Sequence, residues 1–420
     1  MLYKIKDLVI KKGLLRGPFG GALKKEIFVP KSETTYKVYE QGCVLNKDHT
    51  VGRYYITEEY FIKKMKNFEV KPGDILVSCS GVNYGAIYRL PLGVEKGIIN
   101  QALLRIRVNE EIVDPQYFCY LFENLISKII TSGSGDSTIP NFPPIDVIKE
   151  IQINVPPLPE QKRISVFLDS FQSKIEINNE IRAVLTSKIE DEYSFYFETM
   201  YPIDDNRNGI QNGNIKPYYN LLVPSDWEVR PFLANELWKQ IKPGVAKFKG
   251  TKNYLSTSEV NELDYVFGSD VKYDSRESRA NMQPEDNSIW FAKMKKTIKQ
   301  IAFEEDSQIS SSIILSTGFL GLRVKENAFE YLWCLLKRNW FEKTKDYIAT
   351  GSTQEAISDE TINYINILVP AERCLDIFHL KTKDSVELIL KFLYENLKLK
   401  RMIDWYSSQF LSESIQLDDY

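Results

Sequence analysis

A faint internal repeat, with a period of about half the chain, constrains the fold of this sequence more than any other feature. The segment ILVS at 75–78 matches IWFA 214 positions later at 289–292, and LRIRV at 104–108 matches LGLRV 216 positions later at 320–324. Each segment has the pattern of a short buried strand. In both halves an aromatic-rich helical stretch, a Gly/Ser/Thr loop and an apolar strand ending in Val-Pro follow. Five matches in the same order predict a duplicated architecture.

Each half closes with a long helical pattern. Between Glu160 and Phe197 there is no proline or glycine, and apolar residues recur every three or four positions. The same spacing returns between Val386 and Phe410. Such stripes bury one helix against another, and the first pattern would make a rod of about 57 Å at 1.5 Å per residue. The sequence therefore predicts an α+β protein, with two similar mixed α/β globular domains separated by two long antiparallel coiled-coil-like helices and related by a pseudo-twofold axis.

The composition is that of an ordinary globular protein, with 43% hydrophobic and 26% charged residues. A net charge of −3 excludes nucleic-acid binding by bulk positive charge, although local basic patches stay open. No apolar run approaches the ~18 residues of a membrane helix. Lysines interrupt the apolar residues of the N-terminus, which is unlike a signal peptide. We expect a cytoplasmic protein.

Several signals of catalysis are missing from the sequence. The five cysteines are far apart, with no Cys-x-x-Cys pair, and the two histidines are isolated, so no metal site is predicted. Neither a phosphate-binding Gly-x-x-x-x-Gly-Lys motif nor a Gly-x-Ser-x-Gly nucleophile motif occurs. The Pro-Pro pairs at 143–144 and 156–157 have apolar neighbours. An amino-methyltransferase instead uses an Asp/Asn-Pro-Pro-aromatic segment to hold a flipped base. We therefore predict no catalytic and no metal-binding residues.

These segments resemble the specificity (S) subunits of Type I restriction-modification systems. The most specific is VPPLPEQKRISVFLDSFQSKIEINN at 155–179, which is similar to the central conserved region of that family. RGPFGGALKK at 16–25, VKPGDILVSCSG at 70–81, INQALLRI at 99–106 and VPSDW at 223–227 also resemble the family, so the resemblance covers essentially the whole chain in order. The second Val-Pro junction, VPAERCLDIF at 369–378, departs from the pattern because it lacks the P-P-L-x-E-Q signature.

The resemblance implies a non-catalytic subunit that reads a bipartite DNA target with two target recognition domains. The implied domains are a first target recognition domain (1–156), a central helical spacer (157–200), a linker (201–222), a second target recognition domain (223–371), a C-terminal helical spacer (372–413) and a tail (414–420). The helices would bind two modification (methyltransferase) subunits, which restriction (endonuclease and translocase) subunits would join. S-adenosylmethionine would belong to the modification subunits, and ATP and Mg²⁺ to the restriction subunits, so this chain would hold no cofactor. The helix positions expected to take part in partner binding are Ile164, Leu168, Phe171, Ile175, Leu390, Leu393 and Leu397.

Candidate DNA contacts are basic and small polar side chains on predicted loops. Phosphates are bound by Lys, Arg and small polar groups, and base edges are read by Arg, Lys, Asn, Gln, Ser or Thr. An ordinary turn or a solvated lysine face is the alternative for each of these positions. The candidates are Arg16, Lys24, Lys25, Asn83, Tyr84, Ser134, Ser137, Lys293, Lys295, Lys296, Lys299, Gln300, Ser352, Thr353 and Gln354.

Three other interpretations stay open at the level of sequence. The specificity subunit of a Type IIB-like system would share nearly all of these features. A DNA-modifying or DNA-cutting enzyme would need an acidic metal cluster or a methyl-donor pocket, whereas the acidic residues are scattered or helical. A protein-interaction scaffold would explain the long helices, but not two similar globular domains with polar, glycine-rich loops. Because the net charge is −3, we also expect weak DNA binding without partner subunits.

Overall fold

The chain forms two compact units, each of which contains a share of both long helices. A computed structural model describes residues 1–81, 84–132, 142–198, 215–218, 221–305, 307, 309–351 and 355–412. The first unit comprises Met1–Ser173 together with the segment from Lys400 onward, and the second comprises Lys174–Leu399. The boundary between the units therefore passes through the helices.

The first unit is built on two four-stranded sheets and one two-stranded pair. The sheets have the strand orders β2-β9-β6-β7 and β4-β3-β8-β5, and β1 pairs with β10. Strands β3 and β8 run parallel, whereas β6 is antiparallel to both of its neighbours. The strands are β1 (Leu2–Lys4), β2 (Val9–Arg16), β3 (Tyr36–Tyr39), β4 (Tyr55–Ile56), β5 (Glu69–Val70), β6 (Ile75–Ser78), β7 (Ile87–Arg89), β8 (Gly97–Ile99), β9 (Leu103–Val108) and β10 (Gln152–Asn154).

The second unit repeats this plan. Its four-stranded sheets have the orders β14-β23-β20-β21 and β18-β15-β22-β19, and β13 pairs with β24. Again the two middle strands of one sheet, β15 and β22, run parallel. Two further hairpins are β11-β12, which lies partly in the predicted linker, and β16-β17. The strands are β11 (Ile215–Tyr218), β12 (Leu221–Pro224), β13 (Glu228–Pro231), β14 (Trp238–Ile241), β15 (Lys252–Leu255), β16 (Val260–Asn261), β17 (Asp264–Tyr265), β18 (Ser269–Val271), β19 (Ala280–Met282), β20 (Ser288–Ala292), β21 (Gln300–Phe303), β22 (Ile313–Ser316), β23 (Phe319–Val324) and β24 (Asn366–Val369).

The two long helices lie close to their predicted positions. The pattern from Glu160 to Phe197 is helical from Leu158, and a π-turn at Ser194–Glu198 continues its last turn. The helices are α1 (Gln41–Leu45), α2 (Glu58–Tyr60), α3 (Pro115–Ser132), α4 (Ile145–Glu150), α5 (Leu158–Tyr193), α6 (Phe329–Leu335), α7 (Asn339–Ile348) and α8 (Glu372–Ser412).

The predicted duplication is confirmed by the strand register. In the first unit Ile75 pairs with Ile106, and in the second unit Ile289 pairs with Leu322. Ile289 lies 214 positions after Ile75, and Leu322 lies 216 positions after Ile106, which are the two offsets of the sequence repeat. Both β6 and β20 are buried throughout, because alternate side chains face a helix on one side and the other sheet on the opposite side.

One cross-strand pair differs in size between the two units. Leu76 lies opposite Arg105 in the first unit, whereas Trp290 lies opposite Gly321 in the second. A Cβ atom on Gly321 would lie 2.3 Å from Cζ3 of Trp290, so the indole occupies the space of a side chain at 321. Trp290 is fully buried, and its indole N–H donates to Ser288 Oγ at 2.9 Å. The glycine is therefore required by the close approach of the ring.

Within each unit α5 and α8 run antiparallel. In the second unit the buried amide of Asn178 donates to Asn396 Oδ1 at 2.8 Å, and Asn396 donates to Asn179 Oδ1 at 2.9 Å. In the first unit Phe171 stacks on Tyr406, with ring centroids 5.9 Å apart. A buried asparagine pair in an apolar seam favours a single register, because any shift leaves amide groups without partners.

The P-P-L-x-E-Q motif docks α5 on the first unit. Gln161 is 1% exposed; its amide donates to the carbonyls of Ile112 (3.0 Å) and Pro156 (2.8 Å), and its Oε1 accepts from the N–H of Asp114 at 2.8 Å. The junction before α8 lacks this glutamine, and Cys374 and Leu375 are buried there instead. The sequence departure at the second junction thus replaces a polar docking contact by an apolar one.

Candidate nucleic-acid interface

Two loops that carry candidate residues occupy equivalent places in the two units. One connects β6 to β7 and carries Tyr84, and the other connects β20 to β21 and carries the lysines. The strand before the loop has the same place in each four-stranded sheet: β6 lies between β9 and β7, and β20 lies between β23 and β21. Sequence offsets alone did not relate these loops, because their lengths and compositions differ. The structure therefore brings two separately chosen sets of candidates to one topological position.

The lysine loop, residues 293–299, presents its basic side chains to different degrees. Lys296 is exposed, has φ of 57° and makes no ion pair within the described part of the chain, while its N–H donates to Asp346 Oδ1 at 2.9 Å. Lys295 is half-buried and pairs with Glu355 at 3.0 Å. Burial lowers the pKa of Lys293, and the Asp359 carboxylate opposes this shift. Of these lysines, Lys296 is therefore the best placed to meet a phosphate.

The end of the lysine loop is turned into the protein. Lys299 is half-buried, and its ammonium group donates to the carbonyl of Thr257. Gln300 is 4% exposed, and its amide donates to the carbonyl of Trp333 at 3.3 Å. Both side chains are thus occupied by intramolecular hydrogen bonds, which hold the loop onto the sheet.

A buried lysine of α7 forms hydrogen bonds to the backbone of the lysine loop. Lys345 of α7 is fully buried; its ammonium group donates to the carbonyls of Thr297 (2.7 Å) and Met294 (3.2 Å) and pairs with Glu342 at 2.9 Å. Sequence reasoning missed this residue. The signal was available, because Lys345 lies four positions after the buried Phe341, on the apolar face of α7, where a charged residue needs a partner.

The residues that flank a second candidate segment are bonded to each other and to the lysine loop. Ser352, Thr353 and Gln354 are outside the described residues, but the chain on both sides of them is held. The N–H of Thr350 donates to the carbonyl of Ala356 at 3.1 Å, and the reverse bond is 3.0 Å. The N–H of Lys295 donates to the carbonyl of Glu355 at 2.9 Å. Two segments that are more than 50 positions apart in sequence therefore meet at one edge of the second unit.

In the first unit, Arg16 and the β6–β7 loop meet at the equivalent edge. Arg16 is exposed at the end of β2, and its guanidinium group lies 3.5 Å from the carbonyl of Cys79. Tyr84 is half-buried against the core, and Asn83 lies outside the described residues. Gln41, which sequence reasoning missed, donates to Ser78 Oγ and to the carbonyl of Ser80. This amide ties α1 to the start of the loop.

The remaining candidates of the first unit lie on other segments. Lys24 and Lys25 are exposed at the start of a 3-10 turn, Lys25–Ile27. Ser134 and Ser137 lie outside the described residues. In the described part of this unit, Arg16 and Tyr84 are therefore the candidates that the fold brings to one edge of the sheet.

The seven helix positions predicted to bind partners are buried or half-buried within this chain. Leu168, Ile175, Leu393 and Leu397 are at most 5% exposed, and the other three are half-buried. These apolar side chains pack the helices onto the rest of their own units, because their apolar surface is removed from water there. Other faces of the same helices remain open to a partner. Exposed apolar residues of α5 and α8 are Val166, Phe167, Ile177, Ile181, Val184, Leu380, Met402, Trp405 and Phe410.

No group of three or more His, Cys, Asp or Glu side chains among the described residues could hold a metal ion. None of the described helices is long and apolar enough to cross a membrane. Burial raises the pKa of the Cys79 thiol and of the Cys334 thiol to about 12, so both stay protonated at neutral pH.

Comparison with known proteins relates the chain to one family. The model of the Type I restriction modification DNA specificity domain matches residues 4–187. The Type I restriction enzyme MjaVIII specificity subunit of Methanocaldococcus jannaschii is 32% identical over 165 residues, which span 36% of this chain and 36% of that relative. The MjaIX specificity subunit of the same organism is 21% identical over 345 residues, or 79% of this chain and 74% of that relative.

A solved structure supports the fold. The crystal structure of the Type I restriction-modification system S subunit from M. genitalium aligns with a TM-score of 0.51 at 14% identity, over 100% of this chain and 96% of that chain. The likeness extends over both units, whereas the match to the first relative spans about a third of that relative's length.

Proposed function

We propose, from the match of residues 4–187 to the Type I restriction modification DNA specificity domain, that this chain is a specificity subunit of that kind: a sequence-specific DNA-binding subunit without catalytic residues of its own. Each unit would read one half of a bipartite site. The observation that carries this proposal is the duplicated topology, in which both units present a candidate loop after the same strand of the same sheet. Two similar readers on one chain suit a target with two half-sites.

The proposed contacts combine phosphate binding with base readout. Lys296 and Arg16 are exposed cations at equivalent edges of the two units, so they are proposed to bind backbone phosphates. The segments around Asn83 and from Ser352 to Gln354 are proposed to supply side chains that reach base edges. Lys295 keeps its loop in place through Glu355, so its role is proposed to be positioning.

The same proposal includes partner subunits. The exposed apolar residues of α5 and α8 would bind two modification subunits, which restriction subunits would join for cleavage. Under this proposal S-adenosylmethionine is held by the modification subunits, and ATP with Mg²⁺ by the restriction subunits. The net charge of −3 supports a division of labour in which this chain supplies specificity and its partners supply much of the phosphate contact.

The proposal is tested by assembling the chain with competent modification subunits and sequencing the methylated positions of exposed DNA. We expect methylation at one split motif with a fixed unspecified gap. Methylation at a short continuous motif, or none with a competent partner, would contradict the proposal.

The same complex tests the lysine loop. Lys296→Glu should weaken binding to the motif about tenfold or more and should reduce the slope of log affinity against log salt by roughly 0.9, the value for one lost phosphate contact. Lys325→Glu is the matched control, because Lys325 is exposed just beyond Val324, at the opposite end of β23 from the loop. Equal effects of the two substitutions would remove Lys296 from the interface.

A further inference from the structure

A basic cavity of about 780 Å³ opens in the first unit, on one side of the β2-β9 strand pair. Strands β2 and β9, the turn Lys66–Phe68 and Lys149 of α4 line it. No acidic side chain is among its lining residues in the described part of the chain. At ~30 Å³ per water molecule, this volume admits a hydrated anion or several linked ones.

Three cations that line the basic cavity are already neutralised. Arg107 forms a bidentate pair with Asp74, at 2.6 Å and 2.9 Å. Lys6 pairs with Glu150 at 2.6 Å, and Lys149 pairs with Asp146 at 2.9 Å. These three therefore shape the wall without needing a further anion.

The other four cations have no carboxylate partner in the described chain. Lys11, Lys12 and Lys66 are exposed side chains that line the cavity. Arg105 is 3% exposed, and its Nη1 donates to the carbonyls of Asn67 (3.0 Å) and Glu69. Its Nε is buried and has no hydrogen-bond partner among the described residues. Burial lowers the pKa of Arg105 to about 10, so the guanidinium group stays charged at neutral pH.

The backbone holds two of these cations in a fixed geometry. Val9 pairs with Val108, but the next pair is Leu14 with Ile106, so residues 10–13 bulge from β2. Lys12 adopts φ of 61° in this bulge. A Cβ on Gly13 would lie 2.5 Å from the carbonyl oxygen of Arg107, so only glycine allows this approach to β9. The bulge therefore presents Lys11 and Lys12 from a tightly packed segment.

The basic cavity is separate from the candidate loop of the same unit. Arg16 pairs with Leu104 near the start of β9, whereas the bulge adjoins Ile106 and Val108 near its end. The second unit has no equivalent of Arg105, because Gly321 occupies that position and the indole of Trp290 fills the space. The feature thus belongs to one half of the duplicated fold and is not a by-product of its topology.

We propose that the basic cavity is a phosphate-binding site, taking a phosphate of a nucleic-acid backbone or of a free polyphosphate. The cavity is lined by a buried guanidinium group whose Nε–H has no partner among the described residues, and by three exposed ammonium groups without a carboxylate partner there. A multiply charged oxyanion would stabilise these charges, because charge-assisted hydrogen bonds are the strong ones. The backbone source rests on the proposed function, whereas the free-anion source is independent of it.

The test measures two probes on the full chain by titration calorimetry: sodium pyrophosphate, and a short duplex of arbitrary sequence at several salt concentrations. The variant is Lys11→Gln/Lys12→Gln/Lys66→Gln, which removes three exposed charges and leaves the core intact. The matched control is Lys47→Gln/Lys64→Gln/Lys71→Gln, three exposed lysines of the same unit that do not line the basic cavity.

We expect the variant to bind at least one probe about tenfold more weakly than the control. Loss confined to pyrophosphate assigns a free polyphosphate. A salt slope for duplex binding that is lower by roughly 2 to 3, together with displacement of DNA by pyrophosphate, assigns the backbone. No binding of either probe by the unsubstituted chain, or equal affinities of variant and control, would overturn the proposal. Because neither probe contains a recognition motif, this result is independent of the methylation experiment.

Discussion

Replacing the buried Lys345 by Met tests whether the lysine loop is held from within the second unit. Methionine keeps most of the aliphatic volume but removes the ammonium group. The carbonyls of Met294 and Thr297 then lose their donor, and the Glu342 carboxylate, whose side chain is 14% exposed, loses its cation. The loop and α7 would no longer be joined at this point.

The expected cost follows from the burial of the pair. Breaking a buried ion pair by removing one partner costs roughly 3–5 kcal/mol, because the other charge stays behind without compensation. The residual exposure of Glu342 places the expected loss of unfolding free energy at the lower end, at about 3 kcal/mol. With a guanidinium m-value of about 4 kcal/mol/M, the unfolding midpoint of the second unit should fall by about 0.8 M.

The assay combines guanidinium unfolding with amide hydrogen exchange. The matched control is Lys343→Met, an exposed lysine on the same helix, which should change stability by no more than about 0.5 kcal/mol. In Lys345→Met, the amides of the lysine loop should exchange faster than in the control. If both variants unfold at the same midpoint and protect these amides equally, Lys345 does not support the loop and the reasoning fails.

Two further outcomes follow from the second unit. Gly321→Ala should lower the unfolding free energy by about 1–3 kcal/mol, because the added methyl group would overpack against Trp290. In a Trp290→Leu background the same substitution should cost less than about 0.5 kcal/mol. Chemical denaturation measures both costs, and additive values would contradict the steric account. Burial, with a smaller contribution from the Glu387 carboxylate, raises the pKa of Glu304 to about 7 from 4.5. The contribution of this group to the unfolding free energy is therefore complete below pH 4.5 and is lost as pH rises towards 7. Because this side chain is only partly buried, Glu304→Gln should reduce the loss of unfolding free energy between pH 4.5 and 7 by roughly 1–2 kcal/mol. Identical pH profiles of the unfolding free energy for variant and parent would refute the role of Glu304.

Most of the architecture could be predicted from the sequence because it depends on local periodicity. The helix pattern from Glu160 onward placed α5 within a few residues, since an apolar stripe at helical spacing needs no knowledge of its partner. The two offsets of the repeat also carried the register of Ile75 with Ile106 into the second unit, where Ile289 pairs with Leu322.

The candidate interface could be predicted only in part. Their charge makes the lysines at 293–299 candidates, but charge does not distinguish the exposed Lys296 from Lys299, whose ammonium group is bonded to a backbone carbonyl more than 40 positions away. Gln300 is polar, yet it is buried, because it begins a largely buried strand and its amide donates to the carbonyl of Trp333. Exposure and hydrogen-bond partners depend on distant segments and are not encoded in local spacing.

By itself the sequence determined that this chain is a duplicated α+β protein with two long helices, because repeat offsets and helical periodicity survive without tertiary contacts. Only the tertiary structure decided which side chains are free to bind. Lys345 and Gln41 became supports of the candidate loops, and Arg105 became the buried wall of a basic cavity. Each of these roles depends on a donor and an acceptor far apart in sequence, which folding alone brings within hydrogen-bond distance.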